Sequence, residues 1–368
     1  MEAKRQKTIH EGYKVCSTIE FVNENKVELD HKKGLIFKPS ICNQKINHLK
    51  KDNKRKVFIY NNSLWKLSVL SKNSLIGLKK QIKCLKEIES LPFIPKHYSI
   101  EINEESKSPV PLDLQTLSTI CDKQLSKYVL VQEIEYIKGF DLKNYTQLEK
   151  YFQNPLWTSL WLKKALDKTT SQQGDCLINT NEQEIEELKK WKPKLLLCQM
   201  ILQQLETLWL KGWSHGDIKP GNILFSPSLL STYWIDFEFC KNFKENDSNP
   251  DYFKGSIFWV PPSSLSSIHQ PMISDEFSCK KKDLWGIIST MYWIFTGRYL
   301  IPCLNSESQE QYIQRLKQIK NFTLKSTGYK PIDDSFSEIF PLLEEAKNIS
   351  EIESLFEKTK SFLYRLCN

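Results

Sequence analysis

The sequence predicts an α+β chain in two parts, a small β-rich N-terminal part holding one helix and a larger, mainly helical C-terminal part. Three observations carry this. Short aromatic and branched runs separated by turn signals fill most of the first 135 residues. One stretch among them, Ser74 to Glu89, instead repeats its apolar residues at helical spacing. Beyond Gly139 apolar helical runs take over, interrupted by the loop SHGDIKPGN and two short strands.

In chain order, the candidate strands are Leu35 to Lys38, Lys56 to Tyr60 and Ser63 to Leu70, punctuated by Asp52-Asn53 and Asn61-Asn62. In the helix, Leu78, Ile82, Leu85 and Ile88 form the apolar stripe, Lys79, Lys80, Lys83 and Lys86 decorate the other sides, and Pro92 and Pro95 end it. Glu104 to Leu114 reads as a polar surface loop. Tyr128 to Glu133 (YVLVQE) reads as a strand buried on both faces. With Gly139 as the break, the expected domains are 1–137, a basic lobe of five-stranded-sheet type with one helix, and 138–368, a helical lobe with an insertion at about 150–190, most polar over 169–186. Within the latter, Lys194 to Leu210 is an apolar helix ending near Gly212. Two short strands, ILF and TYWIDF, follow the loop, and a second apolar helix starts near Asp283.

The 368 residues are 40% hydrophobic and 26% charged with ten tryptophans, which excludes a disordered, collagen-like or coiled-coil chain. No apolar run reaches the roughly 18 residues of a membrane span, and the start lacks the apolar core of a signal peptide. Ten cysteines stand singly, without CxxC spacing, as the reduced thiols of a cytosolic protein do. A cytoplasmic location is therefore expected; delivery into a host cytosol from an intracellular bacterium is compatible with the same features. The net charge of +8 is uneven: the first hundred residues carry 21 Lys and Arg against 9 Asp and Glu, a surplus of twelve, so the rest is net negative. A basic N-terminal face suits a polyanion.

The chemistry concentrates in SHGDIKPGNILF (214–225) and TYWIDFEF (232–239), which place Asp217, Lys219, Asn222 and Asp236 around one connected strand-loop-strand. Phosphoryl transfer calls for that set: a carboxylate to take the hydroxyl proton, a cation on the migrating phosphoryl, and oxygen ligands for magnesium. Asp217 is the expected base, Lys219 the cation, and Asn222 with Asp236 the ligands of Mg2+ or Mn2+.

These residues resemble the protein kinase superfamily, whose pattern H-R-D-x-K-P-x-N the loop matches with Gly216 in place of Arg. Further segments agree in order. Lys66 in SLWKLS stands where a third-strand lysine grips the α- and β-phosphates of ATP. EYIKGFDL (135–142) resembles the adenine-binding hinge, which implies base contacts from the backbone of Glu135 and Ile137 and a ribose contact from Asp141. GSIFWVPP (255–262) resembles the end of an activation segment. DLWGIISTMYWIFTG (283–297) resembles the D-x-W-x-x-G helix, whose aspartate hydrogen-bonds the catalytic-loop backbone. The resemblance implies a two-lobed kinase-like fold with ATP in the cleft, and a Ser/Thr branch, since Lys219 lies two residues after Asp217. His215 reads as a buried structural histidine, and Trp285 and Trp293 as core.

The departures shape the expectation. No Gly-rich loop separates the first strands; the basic run His48 to Lys56 stands there. By family spacing, Gln81 falls near the usual helix glutamate and Glu87 almost two turns later, so the partner of Lys66 is Gln81 or Glu87. Gly216 and Ser263 replace the phosphate-receiving arginine and the glutamate after the prolines, and Glu238 replaces the glycine of D-F-G. The expected function is that of an atypical Ser/Thr protein kinase acting on a protein substrate. A polyanionic activator, such as an inositol polyphosphate, on the basic lobe would assemble the site; nucleic acid is not an expected partner. The alternatives are a choline- or aminoglycoside-type small-molecule phosphotransferase, because H-G-D and I-D-F-E are shared with it, and a pseudokinase scaffold.

Overall fold

The computed structural model describes residues 19–21, 56–60, 63–69, 72–104, 110–111, 128–155, 158–160, 182–243, 245, 255–265, 275–304, 307–319 and 324–367. The chain divides into two compact units, Met1–Ile137 and Lys138–Asn368. The fold class is α+β, with the largest sheet in the smaller N-terminal unit and most of the described helices in the larger one.

In the N-terminal unit β1 (Ile19–Phe21), β2 (Lys56–Tyr60), β3 (Ser63–Val69), β4 (His97–Glu104), β5 (Val110–Pro111) and β6 (Tyr128–Glu135) form one sheet in the order β1-β2-β3-β6-β4-β5. Its strands pair antiparallel except β1 with β2. Among the described residues the sheet thus has six strands, against the expected five. Three-residue β1 and two-residue β5 are too short to carry a periodic signal, and β5 falls inside the expected surface loop. β4 (HYSIEINE) is a further strand the composition hides, because its apolar residues are outnumbered by polar ones. The expected strand Leu35 to Lys38 and the basic run up to Arg55 lie outside the described residues. Helix α1 (Lys72–Ile88) buries Leu78, Ile82, Leu85 and Ile88 as its spacing requires.

In the C-terminal unit β7 (Phe140–Asp141) pairs with β9 (Ile223–Ser226), which pairs with β10 (Ser231–Trp234). Separately, β8 (Trp213–Ser214) pairs with β11 (Lys241–Asn242). The helices among the described residues are α2 (Tyr145–Phe152), α3 (Glu182–Leu210), α4 (Glu276–Thr296), α5 (Gln309–Gln318), α6 (Lys330–Glu345) and α7 (Ile349–Cys367). Their core is built from Leu195, Ile201 and Leu205 of α3, Leu284, Trp285 and Ile288 of α4, and Phe356 and Leu363 of α7.

Two helix starts differ from expectation. α3 begins at Glu182 rather than Lys194, so the tail of the insertion expected at about 150–190 is helix, and α2 likewise covers 150–152. Pro193 reads as a boundary because it removes one backbone donor, yet the strong helix formers before it carry the helix through. α4 begins at Glu276 rather than near Asp283, because the Asp275 carboxylate caps it by accepting from the Ser278 N–H at 2.8 Å. Three consecutive lysines, Lys280 to Lys282, mask its apolar start. From Asp283 to Phe295 every residue of α4 is buried, as befits a helix enclosed on all sides. Gly297 ends it at φ 64, a left-handed conformation that glycine adopts without steric cost.

Candidate active site

Residues 213–222 run from β8 into a short 3-10 turn, Pro220–Asn222, that feeds β9. The bend is held from below by α4. Asp283, 1% exposed, accepts at Oδ2 from the His215 N–H (3.0 Å) and the Trp209 indole (3.2 Å), and at Oδ1 from the Gly216 N–H (2.9 Å). Burial pushes its carboxyl above the usual range, and the N–H donors from Gly216 and His215 pull it back. Gly216 sits at φ +77, and a side chain there would run into the Phe239 carbonyl. Gly286 lets α4 approach closely, since a Cβ on it would stand 2.7 Å from the Ile218 oxygen.

His215 is buried beneath the bend, between the rings of Trp234 and Phe237. The Asp217 N–H donates to its Nδ1 at 3.3 Å, so Nδ1 is bare and Nε2 carries the hydrogen that it donates to the Ile235 carbonyl at 3.0 Å. Burial lowers its pKa and keeps this neutral tautomer.

On that base Asp217, Lys219 and Asn222 converge. Lys219 Nζ lies 2.6 Å from Asp217 Oδ2, and Asn222 Nδ2 donates to Asp217 Oδ2 at 3.1 Å and to its carbonyl at 2.8 Å. Oδ1 of Asp217 accepts from the Ser256 N–H at 2.9 Å, while the Ser256 hydroxyl accepts from Lys219 at 2.8 Å. Ser256 is the member of this cluster that sequence reasoning passed over. Its segment GSIFWVPP is recognisable, and the signal was a hydroxyl directly after Gly255.

Asp236 stands at φ 67, ψ 60, left-handed for a residue with a side chain, just before the 3-10 turn Phe237–Phe239. Such a backbone conformation is costly and is held only where the surroundings fix it. Asn222 turns its Nδ2 toward Asp217, which leaves Oδ1 directed elsewhere as an oxygen donor. An amide oxygen and a carboxylate suit a hard cation that keeps its waters, so the donor set fits Mg2+. Among the described residues no group of three or more His, Cys, Asp and Glu forms a metal cluster.

Asp141, on β7, is partly committed: its Oδ1 accepts from the Asn144 N–H at 3.1 Å, and burial raises its pKa. Gly139 allows the chain to pass against β9, since a Cβ there would collide with the Phe225 carbonyl.

The other predicted residues belong to the N-terminal unit. Lys66 lies on β3, opposite Gln132 of β6 and Val57 of β2. Of its two candidate partners, Gln81 is buried within the apolar stripe of α1 and Glu87 is exposed. Glu135 closes β6; its N–H donates to the Lys96 carbonyl at 2.8 Å and its Oε2 accepts from the Lys96 N–H at 3.1 Å. Ile137 is buried. His97 on β4 is held neutral, its pKa lowered to about 4 by burial and then by the Lys66 charge.

A helical unit whose central helix anchors a loop bearing Asp217, Lys219 and Asn222 is of the protein-kinase class. The protein kinase domain family model matches residues 115–368, more than half of the chain, and the chain belongs to that family. Among curated proteins it is similar to the serine/threonine-protein kinase Kist of Mus musculus and of Homo sapiens. Each is 28% identical over 109 residues, which are 29% of this chain and 26% of the relative. The match thus spans about a quarter of the length of these relatives.

Proposed function

We propose that this chain is an atypical Ser/Thr protein kinase that transfers the γ-phosphoryl group of ATP to a protein hydroxyl. The observation that carries the reading is the Asp217–Lys219–Ser256 cluster: one carboxylate fixed by an ammonium and a backbone N–H at hydrogen-bond distance. In the step, the substrate oxygen attacks the γ-phosphorus, its proton passes to the Asp217 carboxylate, and the bond to the β-phosphate bridging oxygen breaks to release ADP. Lys219 lies beside Asp217 to offset charge on the migrating phosphoryl. Asn222 and Asp236 would hold Mg2+, which when bound neutralises phosphate charge. Lys66 would grip the nucleotide phosphates, the backbone of Glu135 and Ile137 the adenine, and Asp141 the ribose through its second oxygen.

Gln81, near the helix-glutamate position by family spacing and buried, together with the basic surplus of the first hundred residues, supports a site that an anionic activator or a partner completes. A cytoplasmic place of action accords with a nucleotide-using enzyme, and no helix among the described residues is long and apolar enough to cross a membrane. The test is Asp217→Asn assayed with labelled ATP against protein acceptors and, separately, small alcohols, with and without inositol hexakisphosphate. Loss of about 10²–10⁴-fold in protein phosphorylation with an unchanged melting temperature is expected. Transfer to the small alcohols alone would favour the small-molecule phosphotransferase. Protein phosphorylation undiminished in the variant would sink the assignment of the base, and no turnover under any condition would favour a scaffold.

A further inference from the structure

Gly216 leaves the bend before Asp217 without a side chain, and its φ and the Phe239 carbonyl forbid one. The turn at Gly255 and Ser256 nevertheless seats itself on this bend, with the Ser256 N–H on Asp217 and its hydroxyl on Lys219. Gly255 is at φ +123, and a Cβ on it would stand 2.9 Å from Lys282 Nζ, 3.3 Å from Lys282 Cε and 3.3 Å from the Gly216 carbonyl oxygen. The Lys282 ammonium, the Gly255 backbone and the Gly216 carbonyl therefore meet around one point. Lys282 and Asp283 are neighbours on α4 with opposite tasks: Asp283 takes the N–H groups of the bend, and Lys282 reaches its carbonyl side.

We propose that Lys282 is a positioning residue whose ammonium clasps the Gly255–Ser256 turn onto the catalytic loop and so keeps Ser256 on Asp217 and Lys219. Burial lowers its pKa on balance, with Lys241 adding to this, while the Asp217 and Asp283 carboxylates favour its protonated form. A lysine drawn partly out of water is retained where its charge is used. The proposal rests on the reading of Asp217 as the base only for its catalytic consequence; the clasp itself is a structural claim.

The test is amide hydrogen exchange on the full chain without nucleotide, comparing wild type, Lys282→Met and Lys282→Arg, followed by kcat and KM for ATP. In Lys282→Met the Ser256 amide is expected to lose protection about tenfold or more, the equivalent of one charge-assisted hydrogen bond, while Ile287, Ile288 and Ile294 of α4 keep theirs. The kcat falls by a similar factor with KM for ATP within about twofold, and Lys282→Arg restores most of both. Unchanged Ser256 protection in Lys282→Met overturns the clasp. So does equal loss throughout α4, which would make Lys282 a residue of the core, or an arginine variant as impaired as the methionine one. If the exchange behaves as expected and no variant or wild type transfers phosphate, the kinase reading fails and the clasp stands.

Discussion

Replacing Asp283 by alanine strips three N–H donors of their acceptor at once: His215 N–H, Gly216 N–H and the Trp209 indole, at 3.0, 2.9 and 3.2 Å. The site is 1% exposed, so water reaches these donors only through the small cavity the substitution leaves. A buried donor without a partner costs about 1–3 kcal/mol, and three sharing one cavity are not additive, which gives a loss of roughly 3–6 kcal/mol. Relief of the buried charge offsets part of it, since burial already disfavours the ionised form. Against a total of about 5–15 kcal/mol for a domain this is severe. Asp283→Asn, nearly isosteric, keeps one oxygen for the bend and is expected to lose about half as much. The assay is urea unfolding followed by amide exchange at His215 and Gly216, with phosphoryl transfer measured on the same samples. Activity in Asp283→Asn should fall more steeply than stability, because the bend that aims Asp217 is what loosens. A loss below about 1 kcal/mol in Asp283→Ala, with His215 and Gly216 still protected, would refute the view that this carboxylate holds the loop.

Gly286→Ala places a methyl 2.7 Å from the Ile218 carbonyl and 2.9 Å from its Cβ, so the loop must shift; kcat is expected to drop about tenfold with a stability loss of about 1–3 kcal/mol, and a wild-type kcat would contradict this. Ser256→Ala removes the hydroxyl that Lys219 donates to at 2.8 Å but leaves the N–H on Asp217, so a loss of about three- to tenfold in kcat is expected, recovered in Ser256→Thr. His97 has a folded pKa of about 4 against 6.5 unfolded, so its stabilising contribution is present above pH 6.5 and is lost as pH falls toward 4, up to roughly 3 kcal/mol. Urea midpoints at pH 7.5 and 4.5 should therefore differ less in His97→Gln than in wild type; equal slopes would count against a buried neutral imidazole.

The loop from His215 to Asn222 was legible because its contacts are local: Asp217, Lys219 and Asn222 fall within six residues and hydrogen-bond one another there. Asp283 lies more than sixty residues away, yet its motif named both it and its backbone partner. Elements built from long-range pairing were harder to read. β4 is extended because β6 and β5 flank it, not because HYSIEINE prefers a strand. The start of α3 was obscured by one proline, and that of α4 by three lysines whose side chains the fold engages. Lys280 pairs with Glu276 and Glu353, and Lys281 donates to the Glu344 and Ala346 carbonyls at the end of α6. Periodicity counts a lysine as solvent-facing, whereas a long side chain can leave a helix and cap another.

The unusual residues at the site point to one physical solution, a bend held from α4 as well as by the loop's own side chains. Where Gly216 offers nothing, α4 supplies a carboxylate for the N–H groups, an ammonium on the carbonyl side and, at Gly286, a bare backbone for close approach. Trp293, further along the same helix, donates its indole hydrogen to the Leu142 carbonyl and so fixes the turn after β7 to the same support. A helix buried on all sides is a stiff platform, because moving it would disturb the packing of α3 and α7 together. It follows that the geometry around Asp217 is set by core packing as much as by the loop. Substitutions on the enclosed face of α4 that never touch a reactant, Ile287→Ala for instance, should therefore lower kcat in proportion to the local stability they remove at Gly216.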